Sequence, residues 1–166
     1  MNAWSRSDNP QKIFRASALL RDMIRQYENG DVTLKPDVYV YTTLIKTCAY
    51  SRGVTRQENV QALQMALNAM ATLENTDYGP PNDVTYATIM TAIYRLSSDK
   101  SNDHDSHYEV AFRSCAARGL LTKDVMQVFQ RGASMRLFRR LTNNTGRLQP
   151  EWSRNAPIHK KPDGYQ

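Results

Sequence analysis

A proline, an acidic or amide residue, and then a Tyr-x-Thr core opening an apolar stretch occurs twice in this chain. The first copy is Lys35-Pro36-Asp37-Val38-Tyr39-Val40-Tyr41-Thr42-Thr43-Leu44-Ile45-Lys46-Thr47-Cys48-Ala49. The second is Pro81-Asn82-Asp83-Val84-Thr85-Tyr86-Ala87-Thr88-Ile89-Met90-Thr91-Ala92. Tyr41 and Tyr86 set the period at 45 residues. A unit that recurs on this scale cannot bury its apolar face alone and folds by packing on its neighbours. The chain is therefore expected to form an array that presents a surface, rather than a domain built around a catalytic pocket.

The segments between the two copies read as helices. Ala3-Trp4-Ser5-Arg6 aligns with Ala49-Tyr50-Ser51-Arg52, so the chain is expected to begin in the last turn of a helix whose body is missing, as a fragment of a longer array would. Asp8 and Asn9 are N-cap candidates and Pro10 suits a first helical turn. Ile13, Phe14, Ala16, Leu20, Met23, Ile24 and Tyr27 then recur at helical spacing up to Gly30, a natural stop. Asp37 caps the next helix, whose apolar face carries Val38, Tyr41, Leu44, Ile45, Cys48 and Ala49, and Gly53 ends it. Thr55-Arg56-Gln57-Glu58 fits a capping box ahead of Val60, Leu63, Met65, Leu67, Met70 and Leu73. Asn75 to Pro81 is a turn-rich break, and Asn82 and Asp83 cap a helix from Val84 to about Leu96.

Ser97 to Ser106 is polar and Asp-rich and reads as a loop. Helices resume over His107–Arg118, around Thr122–Phe129 and over about Gly132–Leu141. From Asn143 onward periodicity disappears, and the remainder reads as an extended tail. No alternating run is sustained, so strands are not expected. The expectation is an all-α chain of antiparallel helical hairpins stacked side by side into a short superhelix.

Charge is unevenly placed. The net +6 lies in residues 131–166, where Arg131, Arg136, Arg139, Arg140, Arg147, Arg154, Lys160 and Lys161 oppose only Glu151 and Asp163. A basic end favours an anionic partner. Arg136, Arg139 and Arg140 fall on one helical stripe and are candidate phosphate contacts. No apolar run reaches the roughly 20 residues of a spanning helix, so no membrane partner is expected. Cys48 and Cys115 lie in apolar patterns without a CxxC and read as buried core thiols. The methionines, Met23, Met65, Met70 and Met90 among them, read as core fillers, and Trp4 and Trp152 receive no role.

The junction Lys35-Pro36-Asp37-Val38-Tyr39-Val40-Tyr41-Thr42-Thr43-Leu44-Ile45 resembles that of pentatricopeptide repeats, and Asn82-Asp83-Val84-Thr85-Tyr86-Ala87-Thr88-Ile89-Met90 is similar to it. Ala111-Phe112-Arg113-Ser114-Cys115-Ala116-Ala117-Arg118-Gly119-Leu120 resembles the second helix of such a repeat. Leu148-Gln149-Pro150-Glu151-Trp152-Ser153-Arg154-Asn155 resembles the tail of some algal members. The resemblance divides the chain into a partial repeat at 1–37, a repeat at 38–82, a degenerate repeat at 83–123, capping helices at 124–143 and a basic extended tail at 144–166. It implies a short right-handed α-solenoid, a C-terminal fragment of a longer mitochondrial or plastid member, that binds single-stranded RNA with one base per repeat. Carried over, Thr42 and Asn82 form the reading pair and favour adenine. Asp37 is the final reader of the preceding incomplete repeat. Ala87 holds the next early reading position, where it has no hydrogen-bonding group, and its partner falls near Lys123. Tyr39 and Val84 take the position that packs between bases; Tyr39 departs from the usual aliphatic residue but can stack on a base. The family unit is about 35 residues, and the extra length here falls around Glu58–Gly79.

Two other classes stand against this reading. A scaffold of the sister tetratricopeptide type would hold a peptide in the same helical groove. A catalyst would need a site, and Asp99, Asp103, His104, Asp105 and His107 cluster in sequence but are placed in a loop without an i, i+4 frame to converge ligands. No nucleophile motif is recognisable. No enzymatic activity, metal or cofactor is expected.

Overall fold

A computed structural model describes residues 11–51, 55–97 and 102–157. It contains seven α-helices: α1 (Lys12–Glu28), α2 (Val38–Ala49), α3 (Arg56–Asn75), α4 (Asp83–Leu96), α5 (Asn102–Ala117), α6 (Lys123–Gly132) and α7 (Met135–Leu141). Short 3-10 turns occupy Val32–Leu34 and Pro150–Ser153. Strands are absent among the described residues, and the chain is all-α and repeat-like.

The helix starts follow their caps. Asp37 accepts from Val40 N at 2.9 Å at the head of α2. Thr55 and Glu58 close a reciprocal capping box on α3. The Asn82 side chain accepts from Thr85 N at 2.9 Å at the head of α4. Each such bond satisfies one of the orphan N–H groups of a first turn. Gly30 follows α1 at φ +102°, a backbone region that side chains with a Cβ resist. The suggested caps at Asp8 and Asn9, Pro10, the alignment of residues 3–6 and the Gly53 stop lie outside the described residues.

Helix α2 packs against α1, α3 and α4, while α4 packs against α3, α5 and α6. Each helix that opens with the repeated junction thus meets its hairpin partner and the corresponding helix of the next unit. The core between them is apolar and closed: Leu44, Ile45, Cys48, Ile89, Met90, Ile93, Leu96, Tyr108, Leu121 and Phe129 are buried. Both thiols are free and buried, and burial pushes each up to about 12. Tyr108 donates its hydroxyl to the Met90 carbonyl at 2.7 Å. Gly132 passes so close to that hydroxyl that a Cβ there would stand 1.8 Å from it.

Three sequence expectations are corrected. The span Ser97–Ser106 is not a continuous loop, because α5 starts at Asn102 and includes Asp103, His104, Asp105 and His107. Its polar first turn is stable as helix: carboxylates suit the positive end of the helix dipole, and Asp105 accepts from the N and Oγ of Ser134 at the head of α7. Helix α7 begins at Met135, since Ser134 caps it by accepting from Leu137 N, and Ala133 breaks the line from α6. The tail is not extended through 144–157. It turns back through Asn143 and Asn144, both at positive φ, and docks on the α5–α6 turn. Leu121 N donates to Trp152 O at 2.8 Å, and Asn155 N donates to Gly119 O at 2.8 Å. Arg154 and Asn155 donate to the carbonyls of Ala117 and Arg118 at the end of α5. The Trp152 ring meets Phe112 edge-on at 5.4 Å. Residues 158–166 lie outside the description.

Candidate nucleic-acid interface

Helices α2, α4 and α6 lie in sequence against one another, and a groove of about 600 Å³ is lined along α2, by the first half of α4 and by the start of α6. Its lining includes Tyr39, Thr42, Lys46 and Tyr50 from α2, Asn82, Asp83, Val84, Ala87, Thr88 and Thr91 from α4 and its cap, and Thr122, Asp124 and Val125 from the start of α6. Five of the residues picked out from the sequence therefore meet in one place: Tyr39, Thr42, Asn82, Val84 and Ala87. Tyr39 and Val84 stand out from the surface, 58% and 52% exposed, and line the same groove as Thr42 and Asn82. Asp37 is not among the lining residues, and its carboxylate is engaged as the α2 cap.

The hydroxyls of the groove are not equivalent. Thr43, Thr88 and Thr91 donate to carbonyls four residues back on their own helices, those of Tyr39, Val84 and Ala87. Thr122 accepts from Val125 N as the cap of α6. Thr42 alone among these reaches another helix: its Oγ1 lies 2.8 Å from Thr85 Oγ1 on α4. Thr85 Oγ1 in turn donates to Asn82 Oδ1 at 2.9 Å. Thr85 was not singled out from the sequence, where it reads as an ordinary first-turn threonine. The contact that gives it a role bridges two helices and carries no local signal.

The three arginines are placed elsewhere. Arg136, Arg139 and Arg140 lie on α7, which packs on α5, and none lines the groove. Arg140 is ion-paired with Glu109 on α5. Charge in the groove itself is one cation, Lys46, against Asp83 and Asp124. Tyr50, 45% exposed, closes the Lys46 end, with the Arg95 guanidinium 4.6 Å from its ring centroid.

No group of three or more His, Cys, Asp or Glu side chains among the described residues could hold a metal ion. The His104 ring bonds through Nε2 to the Gly132 carbonyl at 3.0 Å, and Asp105 is bound to Ser134, so two members of the sequence cluster serve helix packing. Asp99 lies outside the described residues. No described helix is long and apolar enough to cross a membrane. No family model, curated protein or solved structure matches the chain.

Proposed function

We propose that the chain is a single-stranded RNA-binding module of the pentatricopeptide-repeat kind, a short right-handed α-solenoid that acts in mitochondrial or plastid RNA metabolism. The observation that carries this reading is the convergence of Thr42 and Asn82 in one groove that the exposed Tyr39 and Val84 also line. The pair offers polar atoms to a base edge, while the two exposed apolar side chains offer surfaces on which bases stack. The organelle assignment rests on the family resemblance. Thr42 and Asn82 favour adenine in this reading, Ala87 leaves the next position unread, and Lys46 is the cation of the lining that meets a phosphate.

The test is fluorescence anisotropy of the purified chain with short A-, U-, C- and G-rich RNAs at two salt concentrations. Salt-sensitive binding with preference for adenine at one position is expected. Replacing Thr42 and Asn82 together should shift that preference by about 1–3 kcal/mol and leave the salt slope unchanged. Lys46→Ala should do the reverse and lower the slope by about one. Absence of RNA binding at low salt from a chain with a helical circular-dichroism spectrum would sink the reading.

One observation favours a second reading, a peptide-binding scaffold: Asp83 and Asp124 outnumber Lys46 in the groove lining, which suits a basic peptide better than a polyanion. Retention of a basic peptide together with failure to bind RNA would select it.

A further inference from the structure

We infer that Thr85 is a positioning residue, which fixes Thr42 as an acceptor and the Asn82 side chain as a donor toward the base; this rests on the base-reading proposal above. Proton accounting assigns the directions. Asn82 Oδ1 takes the Thr85 backbone N–H at 2.9 Å, which orients the amide with its oxygen inward. The same oxygen takes the Thr85 hydroxyl proton at 2.9 Å. An amide oxygen has two lone pairs, so Oδ1 is full and only Nδ2 is left for a ligand. Thr85 has one hydroxyl proton; we assign it to Asn82 Oδ1, which can only accept, and the 2.8 Å contact with Thr42 is then made by the Thr42 proton. Asn82 N supplies the second contact to Thr85 Oγ1, at 3.4 Å. Thr85 is thereby saturated, and it is fully buried.

The groove is left with a Thr42 oxygen that can only accept and an Asn82 amide that can only donate. Without the link, the Thr42 hydroxyl would rotate and serve either role. The ligand chemistry this selects is a base edge with an amino group beside a ring-nitrogen acceptor. Adenine and cytosine carry that edge; guanine and uracil present a carbonyl beside an N–H. The polarity also assigns atoms: the adenine amino group donates to Thr42, and the ring nitrogen accepts from Asn82 Nδ2.

The experiment uses the wild-type chain, Thr85→Val and Thr85→Ser, with an RNA in which one preferred adenine, found by scanning each position, is replaced by purine or hypoxanthine. Purine lacks the amino group, and hypoxanthine reverses the edge. In wild type, both replacements should weaken binding by about tenfold. Thr85→Val should erase most of that difference, and Thr85→Ser should retain it. A purely structural Thr85 would instead lower affinity for all three RNAs alike. Wild type that does not distinguish any bases would sink the base-reading proposal and this inference with it. Wild type that prefers adenine yet binds purine equally well would overturn the assigned polarity while base reading stands. Undiminished discrimination by Thr85→Val would overturn the positioning role. Should Thr85→Val fail to fold, Thr85→Ala, which also removes the hydroxyl, is read in its place: loss of the adenine-against-purine difference supports the positioning role, and its retention overturns it.

Discussion

The two copies of the junction place the same tyrosine in opposite surroundings. Tyr86 donates to Glu74 at 2.9 Å and lies 2.9 Å from Ser114, which itself donates to Glu74. Three helices, α3, α4 and α5, meet in that polar knot. One period earlier, Tyr41 is as deeply buried, but its hydroxyl has no partner. The residues standing at the corresponding offsets are Asn29 and Ala69 in place of Glu74 and Ser114. Tyr41 is surrounded instead by rings, stacked on Tyr78 at 5.8 Å, with Tyr27 edge-on to Tyr78 at 6.2 Å. Burial pushes the Tyr41 hydroxyl up to about 12 and the Tyr86 hydroxyl higher still. A repeated motif thus fixes where a side chain goes, and the partners are chosen unit by unit.

Titration and substitution put this contrast to the test. The largest expected effect is alkaline loss of stability shared by both units, because each contains one buried thiol, Cys48 on α2 and Cys115 on α5. Their folded values of about 12 exceed the ordinary 9.0, so the unfolded chain loses these protons first. Stability is then complete below pH 9 and falls as pH rises toward 12, by about 1.4 kcal/mol per pH unit for each thiol. Urea unfolding at pH 8 and pH 10.5 measures it. Cys48→Ala and Cys115→Ala should each remove a comparable part of the pH dependence, and the remainder, setting in above pH 10, belongs to the buried Tyr41, Tyr86 and Tyr108 hydroxyls, which burial also raises; a loss from only one of the two replacements would show that the units do not unfold together.

Next in size is the hydroxyl comparison itself. Tyr86→Phe should destabilise by about 1–2 kcal/mol, because Glu74 and Ser114 lose a partner inside the packing. Tyr41→Phe should be neutral or stabilising by up to about 1 kcal/mol, since a buried group without a bond is removed. Equal losses in the two variants would erase the distinction. A smaller gain, about 0.5–1 kcal/mol, is expected from Ala69→Ser, which places in the first unit the hydroxyl that Ser114 supplies in the second. Thermal or urea denaturation reads all three. The smallest effect concerns the groove: Thr88→Val should change RNA affinity by less than about twofold, because that hydroxyl is turned to the Val84 carbonyl and away from a ligand.

What was legible in the sequence was local. Asp37, Thr55 with Glu58, and Asn82 announce their helices through bonds that span three residues, and the period brings Thr42, Asn82, Tyr39, Val84 and Ala87 to one face. What was hidden depends on partners far along the chain. The helical start of α5 was obscured by Asp, Ser and Asn, residues poor in helix interiors but favourable in a first turn, and its anchor on Ser134 lies 29 residues away. Arg140 reads in sequence as a phosphate contact, and Glu109, which pairs with it, lies on another helix. Trp152 had no role until Phe112 was placed under it. Thr85 is invisible for the same reason, since its bond to Thr42 joins helices 43 residues apart.

The docked tail has a mechanical consequence for the groove. Leu121 is tied to Trp152 and Gly119 to Asn155, so the segment between them is a closed loop that contains all of α6 and α7. Helix α6 supplies one wall of the groove through Thr122, Asp124 and Val125. That wall is fastened at both ends of its loop, as a door is by a hinge and a bolt. The wall that α6 supplies is therefore tied, through Leu121, to a tryptophan 27 residues further along the chain than Val125, and the contact of Trp152 with Phe112 is part of that fastening.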